Sequence, residues 1–297
     1  MIAFQNLYKV VRKLAARPRI LILFVLAQAL LLLMGMTNLK SQERIMTLNI
    51  RFDNPSDGED RWELRRQDLC ALLMDHKPDF IGIQEALPNQ VDFIDQQLKD
   101  YDFIGFGRDG KGTASESVPI FFRKGGYELI ESEVFWLSET PEVPSKGWDA
   151  ALNRITTYGC FLNKMSQDTI YVFNVHFDHK GKIARQKSSE LLLEKLAMME
   201  LEKKKVIVMG DLNSEPEQPP IRTLEKELKD SFSHARQKPV GPIGTFNGFD
   251  TSRIPEPRID YIFCRNLEII KYHALDSKRT NGRWISDHLP ILVELKN

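Results

Sequence analysis

The chain is poor in cysteine. Of 297 residues only Cys70, Cys160 and Cys264 carry thiols, widely spaced and each in an apolar stretch. Without a C-x-x-C pair, a disulfide framework and a thiolate zinc site are excluded, and the three read as buried thiols. Internal repeats and low-complexity tracts are also missing, which excludes a solenoid or a disordered tail. An excess of basic charge is missing too. The formal net charge is zero, and six of the 41 basic residues (Lys9, Arg12, Lys13, Arg17, Arg19, Lys40) lie in the first 41 positions, which hold no acid. The remaining 35 basic residues face 41 acidic ones, about −6 for the body of the chain. That balance counts against a protein that tracks along a nucleic-acid backbone. With 42% hydrophobic and 28% charged residues, what remains has the composition of a folded domain.

One long apolar run is present. Ile20 to Met36 reads ILILFVLAQALLLLMGM, with Gln28 as its one strongly polar member and basic residues before it. The run is close to the roughly 20 residues that span a bilayer, and the positive-inside rule places the basic flank in the cytoplasm. The expected division is a basic leader (1–19), a hydrophobic signal anchor (20–37), a linker (38–44) and a catalytic domain (45–297). Membrane anchorage with the domain outside the cytoplasm follows, periplasmic in a Gram-negative cell. Cleavage near Ser41 with release is the alternative. A lipid anchor is excluded, since no cysteine lies near the end of the run.

From Ile45 onward, strand-sized runs rich in Val, Ile and Phe alternate with helical spacing. The runs begin at Ile45, Phe80, Tyr101, Val118, Leu129, Ile155, Thr169, Val206, Ile259, Leu267 and Leu289. Helical periodicity appears at Leu69/Leu72/Leu73, Val91/Ile94/Leu98 and Leu192/Leu196/Met199, and Pro219-Pro220 opens a further short helix. Many strands with a few interposed helices predict a layered α/β domain with two sheets. Four long polar segments, 53–61, 107–116, 138–153 and 238–258, are candidate functional loops.

The strands share a grammar: polar groups stand at their ends. "RIMTLN" closes on Asn49, "FIGIQE" on Glu85, and "YVFNVH" on His176 with Asp178 two residues later. "KVIVMGDLN" delivers Asp211 and Asn213, "RIDYIF" opens on Asp260, and "WISDHLPI" sets Asp287 and His288 before a strand. Residues i and i+2 of a strand share a face, so Asp211 and Asn213 point together and Leu212 points into the core. Carboxylate and amide oxygens are hard ligands that suit Mg²⁺, with Mn²⁺ or Ca²⁺ possible in its place. Mg²⁺ is held by few protein carboxylates plus substrate phosphate, which matches phosphoryl transfer.

"LNIR", "IQEA", "VHFDH", "GDLNSEP", "RIDYIF" and "SDHLPI", in this order, resemble the signature of the endonuclease/exonuclease/phosphatase superfamily, which includes deoxyribonuclease I. The resemblance covers about residues 45–297. It implies a four-layer α/β sandwich, two mainly antiparallel sheets face to face with helices outside. It further implies that Asn49, Glu85 and Asp287 bind the metal and that Asp211 and Asn213 orient the attacking water and the phosphate. His176 donates to a phosphoryl oxygen. The general base is Asp211 or His288, with His288, held by Asp260, favoured. "RFDNPSDGEDRWELRR", "GFGRDGKG", "GWDAALNRI" and "GTFNGFD" resemble a secreted or membrane-anchored bacterial subgroup. Asn153 departs from the subgroup, which reads Pro there. Arg108, Trp148, Arg154 and Asp178 are candidate substrate contacts. The expected activity is Mg²⁺-dependent phosphate-ester hydrolysis by a monomeric catalytic domain with no protein partner. A small or single-stranded phosphorylated substrate is favoured. Nuclease action on DNA or RNA, a sphingomyelinase-like lipase acting on a phospholipid head group, and a non-catalytic binding module are the alternatives.

Overall fold

The computed structural model describes residues 42–296. Twelve strands form two six-stranded sheets, in the orders β11-β12-β1-β2-β4-β3 and β5-β6-β7-β8-β10-β9. The strands are β1 (Gln42–Asn49), β2 (Phe80–Gln84), β3 (Tyr101–Ile104), β4 (Ile120–Arg123), β5 (Tyr127–Trp136) and β6 (Ile155–Asn163). There follow β7 (Thr169–His176), β8 (Lys205–Asp211), β9 (Lys229–Asp230), β10 (Asp260–Arg265), β11 (Glu268–Ala274) and β12 (Ile291–Lys296). Each sheet is antiparallel except for one central parallel pair, β1 with β2 and β7 with β8. Gln42 to Arg44, expected in a linker, pair with Glu294 to Lys296 of β12.

Helices cover both outer faces. The longer ones are α1 (Trp62–His76), α2 (Pro88–Gln97) and α3 (Lys182–Met198), with short α4 (Pro219–Leu224) and α5 (Ser231–His234). The central strands are buried on both sides, which explains their unbroken apolar runs. Ile45, Phe80, Ile207 and Ile262 fill the space between the sheets, while Met46 and Ile81 pack outward with Leu69, Leu73 and Ile94 of α1 and α2. Val206, Val208 and Leu212 pack outward with Leu192 and Leu196 of α3. The architecture is the four-layer sandwich expected. Helix α1 stops where Lys77 turns left-handed (φ 46°), its N–H bonding Leu73 O, just before Pro78. Gly82 in β2 leaves room between the sheets: a Cβ there would lie 2.7 Å from Met209 Cε and 2.8 Å from Asn174 Oδ1.

The expected signal anchor at 20–37 lies outside the described residues. Among the described residues no helix is long and apolar enough to cross a membrane. The membrane anchor, the membrane as partner and the extracytoplasmic location inferred from it are therefore corrected: the described fold carries no membrane-spanning element, and these assignments are withdrawn.

Candidate active site

Sheet register brings the polar strand ends together. In the parallel pair β7/β8, His176 stands opposite Asp211; in the antiparallel pair β8/β10, Asp211 stands opposite Asp260. On the other sheet Asn49 stands opposite Gln84, with Glu85 next in line. Asn49 then bridges the sheets. Its Nδ2 donates to Glu85 Oε1 (3.1 Å) and to Asp211 Oδ2 (3.0 Å), while its Oδ1 accepts from the Arg51 N–H.

Asp211 is the centre of the arrangement. Its Oδ1 accepts the Asn213 N–H (2.9 Å), and its Oδ2 lies 3.6 Å from His176 Nε2 and 3.9 Å from His288 Nε2. Asn213 Nδ2 donates to Phe177 O. His288 Nδ1 bonds Asp260 Oδ2 at 2.9 Å, so the ring is fixed with Nε2 facing Asp211. The segment before β12 is tied to β1 by Ser286 Oγ donating to Asn49 O, and to the 238–258 loop by the Asn247 and Gly248 N–H groups donating to Asp287 O.

The electrostatics follow from burial and crowding. Burial, then Asp260, raises the Asp211 pKa above the carboxylate range, against His288, the Asn213 N–H and Asn49. Burial also raises Asp287, helped by Glu85 and opposed by His288. Burial works against a charge on His288, but Asp260, its hydrogen bond, Asp211 and Asp287 together carry that imidazole well above its ordinary value. His176 goes the other way: burial and the cations Arg154 and Arg108 push it well below, so it is neutral at pH 7.

A cation fits these donors. Asp211, Asp260 and His288, all buried, place ligand atoms within 4.8 Å of one another, a candidate metal site. One of those atoms pairs is already used, Nδ1 to Oδ2, and Asp260 Oδ1 is buried without a hydrogen-bond partner. Beside this cluster, the carboxylates of Glu85 and Asp287 face one cavity with Asp211, a concentration of anionic oxygen that a hard divalent ion would neutralise.

That cavity has a volume of about 430 Å³. Of the expected substrate contacts, it brings in Arg154 alone. Arg154 is buried, with Nη1 3.1 Å from the His176 ring nitrogens, Nη2 2.9 Å from His179 Nδ1, and Nε donating to Asp178. Arg108 sits behind the cavity, paired with Glu116 at 2.7 Å, and Glu116 faces in. Asp178 is buried and accepts the Lys180 and Gly181 N–H groups, which turns the chain into α3. Trp148 is half-buried outside the lining, its N–H on Glu139, while the neighbouring Asp149 caps the first turn of α3. The lining adds residues that sequence reasoning did not select: Arg51, Phe52, Leu152, His179 and Phe246. Phe246 packs edge-on to His288, ring centres 5.0 Å apart. The second histidine of "VHFDH" and the first phenylalanine of "GTFNGFD" were the available signals.

Comparison with known proteins agrees with this geometry. The profile of the Endonuclease/Exonuclease/phosphatase family matches residues 46–288. A mannosyl-6-phosphatase of Bacteroides thetaiotaomicron is similar over 86% of this chain and 100% of its own, at 35% identity and a TM-score of 0.81. A functionally unknown conserved protein of Enterococcus faecalis is similar over 86% of this chain and 99% of its own, at 30% identity and a TM-score of 0.81. An uncharacterized protein of Acanthamoeba polyphaga mimivirus is 29% identical over 84% of this chain and 98% of its own. The chain belongs to the endonuclease/exonuclease/phosphatase family and is a metal-dependent phosphoesterase of that family.

Proposed function

We propose that the protein hydrolyses phosphate monoesters of small molecules, sugar phosphates foremost, by in-line attack of water. The observation that carries this reading is the cavity of about 430 Å³ at the site, lined by Asp211, Asn213, His176 and His288 together with Phe52, Leu152 and Phe246. Such a wall suits the C–H face of a sugar better than an extended polymer. The acidic balance of the chain beyond its first 41 residues supports the same choice over a duplex. So does the similarity to a mannosyl-6-phosphatase, and the Bacteroides and Enterococcus relatives support a bacterial subgroup.

Asn49, Glu85 and Asp287 would hold a divalent cation, Mg²⁺ by the hardness of the donors, which when bound supplies positive charge to the phosphoryl oxygens. Asp211 and Asn213 place the attacking water. Asp211, its pKa raised, is the better proton acceptor of the two candidates. His288, charged and held by Asp260, donates Nε2–H to a phosphoryl oxygen and steadies the charge that builds there. Neutral His176 supplies a second N–H donor. This reverses the preference for His288 as base, because a group already protonated at neutral pH cannot take the water's proton.

The test is release of phosphate or alcohol by the purified protein with Mg²⁺ from sugar phosphates, p-nitrophenyl phosphate, bis-p-nitrophenyl phosphate, sphingomyelin, DNA and RNA. Turnover of monoesters with kcat/KM highest for sugar phosphates is expected. Preferred cleavage of nucleic acid or lipid would replace this substrate class with a diester.

A further inference from the structure

Arg65 of α1 is fully buried and forms no ion pair among the described residues. All its hydrogen bonds go to backbone carbonyls. Nε donates to Asp60 O (2.8 Å), Nη1 to Ile50 O and Ile285 O (3.4 Å), and Nη2 to Arg51 O (2.8 Å). Apart from Asp60, just ahead of α1, these carbonyls belong to two segments far apart in sequence. Ile50 and Arg51 directly follow Asn49, beyond the last paired residue of β1, and Ile285 lies two residues before Asp287, ahead of β12. Being outside the strands, these carbonyls need another partner, and the guanidinium fork supplies it from one fixed plane. Trp62 and Phe249 flank the cation, 5.3 and 5.7 Å from their ring centres.

The first segment also holds a strained turn. Arg51 has φ 56°, a left-handed backbone in a non-glycine residue. Its N–H goes to Asn49 Oδ1, and its carbonyl receives both Arg65 Nη2 and Gln90 Nε2 (3.0 Å). The bond that orients the Asn49 amide therefore depends on a turn that Arg65 pins. On the other side, Ser286, between Ile285 and Asp287, donates Oγ to Asn49 O. Arg65 holds the backbone of both halves of the proposed ligand set.

We propose that Arg65 is a positioning residue for the divalent cation: it fixes the segments bearing Asn49 and Asp287 relative to one another and so sets cation affinity without touching the ion. This rests on the assignment of Asn49, Glu85 and Asp287 as ligands. The proposal separates clamp from charge. Lysine keeps the charge but offers a compact ammonium in place of the fork, and methionine removes both.

The test is calorimetric binding of Mg²⁺ and Mn²⁺ to the full chain and to Arg65→Lys and Arg65→Met, with near-ultraviolet circular dichroism to verify the fold. A loss of affinity of about tenfold or more is expected in the methionine variant, the scale of lost ligand-orienting contacts, with a smaller loss in the lysine variant. A folded variant of either kind that binds both ions within twofold of the parent overturns the proposal. If the methionine variant does not fold, the lysine variant decides by the same criterion. Amide exchange of the unsubstituted protein gives an independent reading: Mg²⁺ should protect residues 50–53 and 285–288 together, and protection of one segment alone overturns the clamp. A parent that binds neither ion refutes the ligand assignment itself, a result distinct from a parent that binds while Arg65 proves irrelevant.

Discussion

Asp260→Asn isolates one ion pair. The aspartate is fully buried, its Oδ2 bonds His288 Nδ1 at 2.9 Å, and its Oδ1 has no hydrogen-bond partner. Asparagine keeps the shape and removes the charge. Two unit charges about 4 Å apart interact by about 4 kcal/mol at an effective dielectric of 20. At 1.36 kcal/mol per decade that is about three decades of rate, if the whole interaction stabilises a charged His288 in the transition state. The expectation is a loss of kcat of about 10³-fold, since Asp260 keeps on His288 the charge that meets the developing phosphoryl charge. The assay is steady-state phosphate release at saturating Mg²⁺ for the parent, Asp260→Asn, His288→Gln and the double variant. The double variant should be no slower than His288→Gln alone, because Asp260 acts through that ring. The reasoning fails if Asp260→Asn stays within tenfold of the parent, or if it slows the His288→Gln background by its full single-variant factor.

Further outcomes follow from the same geometry. Mg²⁺ at a hundred times its dissociation constant should stabilise the protein by about 2.7 kcal/mol in thermal melts, and Glu85→Gln should abolish most of that gain; an undiminished gain would remove Glu85 from the ligand set. Asp178→Asn leaves buried Arg154 without its carboxylate and should cost about 3 kcal/mol or more in urea unfolding at pH 7. Burial alone would raise the Asp178 pKa, but the N–H groups of Gly181, Ala151 and Lys180, with Arg154, lower it well below its ordinary value. A depressed folded pKa gives stability that is full above the unfolded value near 3.9 and lost as pH falls below it, so parent and variant should converge on acidification; a gap independent of pH would contradict this. Gly210→Ala should destabilise by about 3 kcal/mol or more, since φ is 146° and a Cβ would lie 2.0 Å from Val175 O; a melting temperature equal to the parent's would show that β7 and β8 separate easily there.

The strand ends were legible because two signals coincide there. An apolar run fixes the strand, and a polar residue at its end has no place in the core that the run implies. Asp211 turned to the site and Leu212 turned to the outer core follow from the strand period, but Asn213 lies past β8 in a left-handed turn that the period does not predict. The pairing was not legible: that Asn49 reaches across to Asp211, or that Asp260 stands opposite Asp211, depends on registers between segments up to 162 positions apart. Arg154 and Asp178 looked like substrate contacts because charged residues in long loops so often are. The fold uses Asp178 to turn the chain into α3, whereas Arg154 does line the cavity, beside His176 and His179. His179, Arg51 and Phe246 were missed because loop conformation, not periodicity, turns them toward the cavity.

Backbone conformation shows how the site is kept rigid. Arg51, Glu85 and Asn213 are left-handed at φ 56°, 61° and 47°, and each lies within two residues of the end of β1, β2 or β8. Such residues cost of order 1–3 kcal/mol each and persist only where their surroundings over-determine them. Here the surroundings are named. Asn49 Oδ1 and Arg65 hold Arg51, Asp211 Oδ1 and Phe177 O hold Asn213, and the Phe52 N–H and Asn49 Nδ2 hold the Glu85 carboxylate. Three strands thus end in turns that the acidic and amide side chains themselves enforce, so the groups that would meet cation and phosphate also fix the backbone that presents them. Substitution of Asn49 should therefore disturb Arg51, Glu85 and Asp211 together, more than the loss of one metal contact would predict. Such coupling suits a site whose donors must be aimed before charge develops on the phosphate.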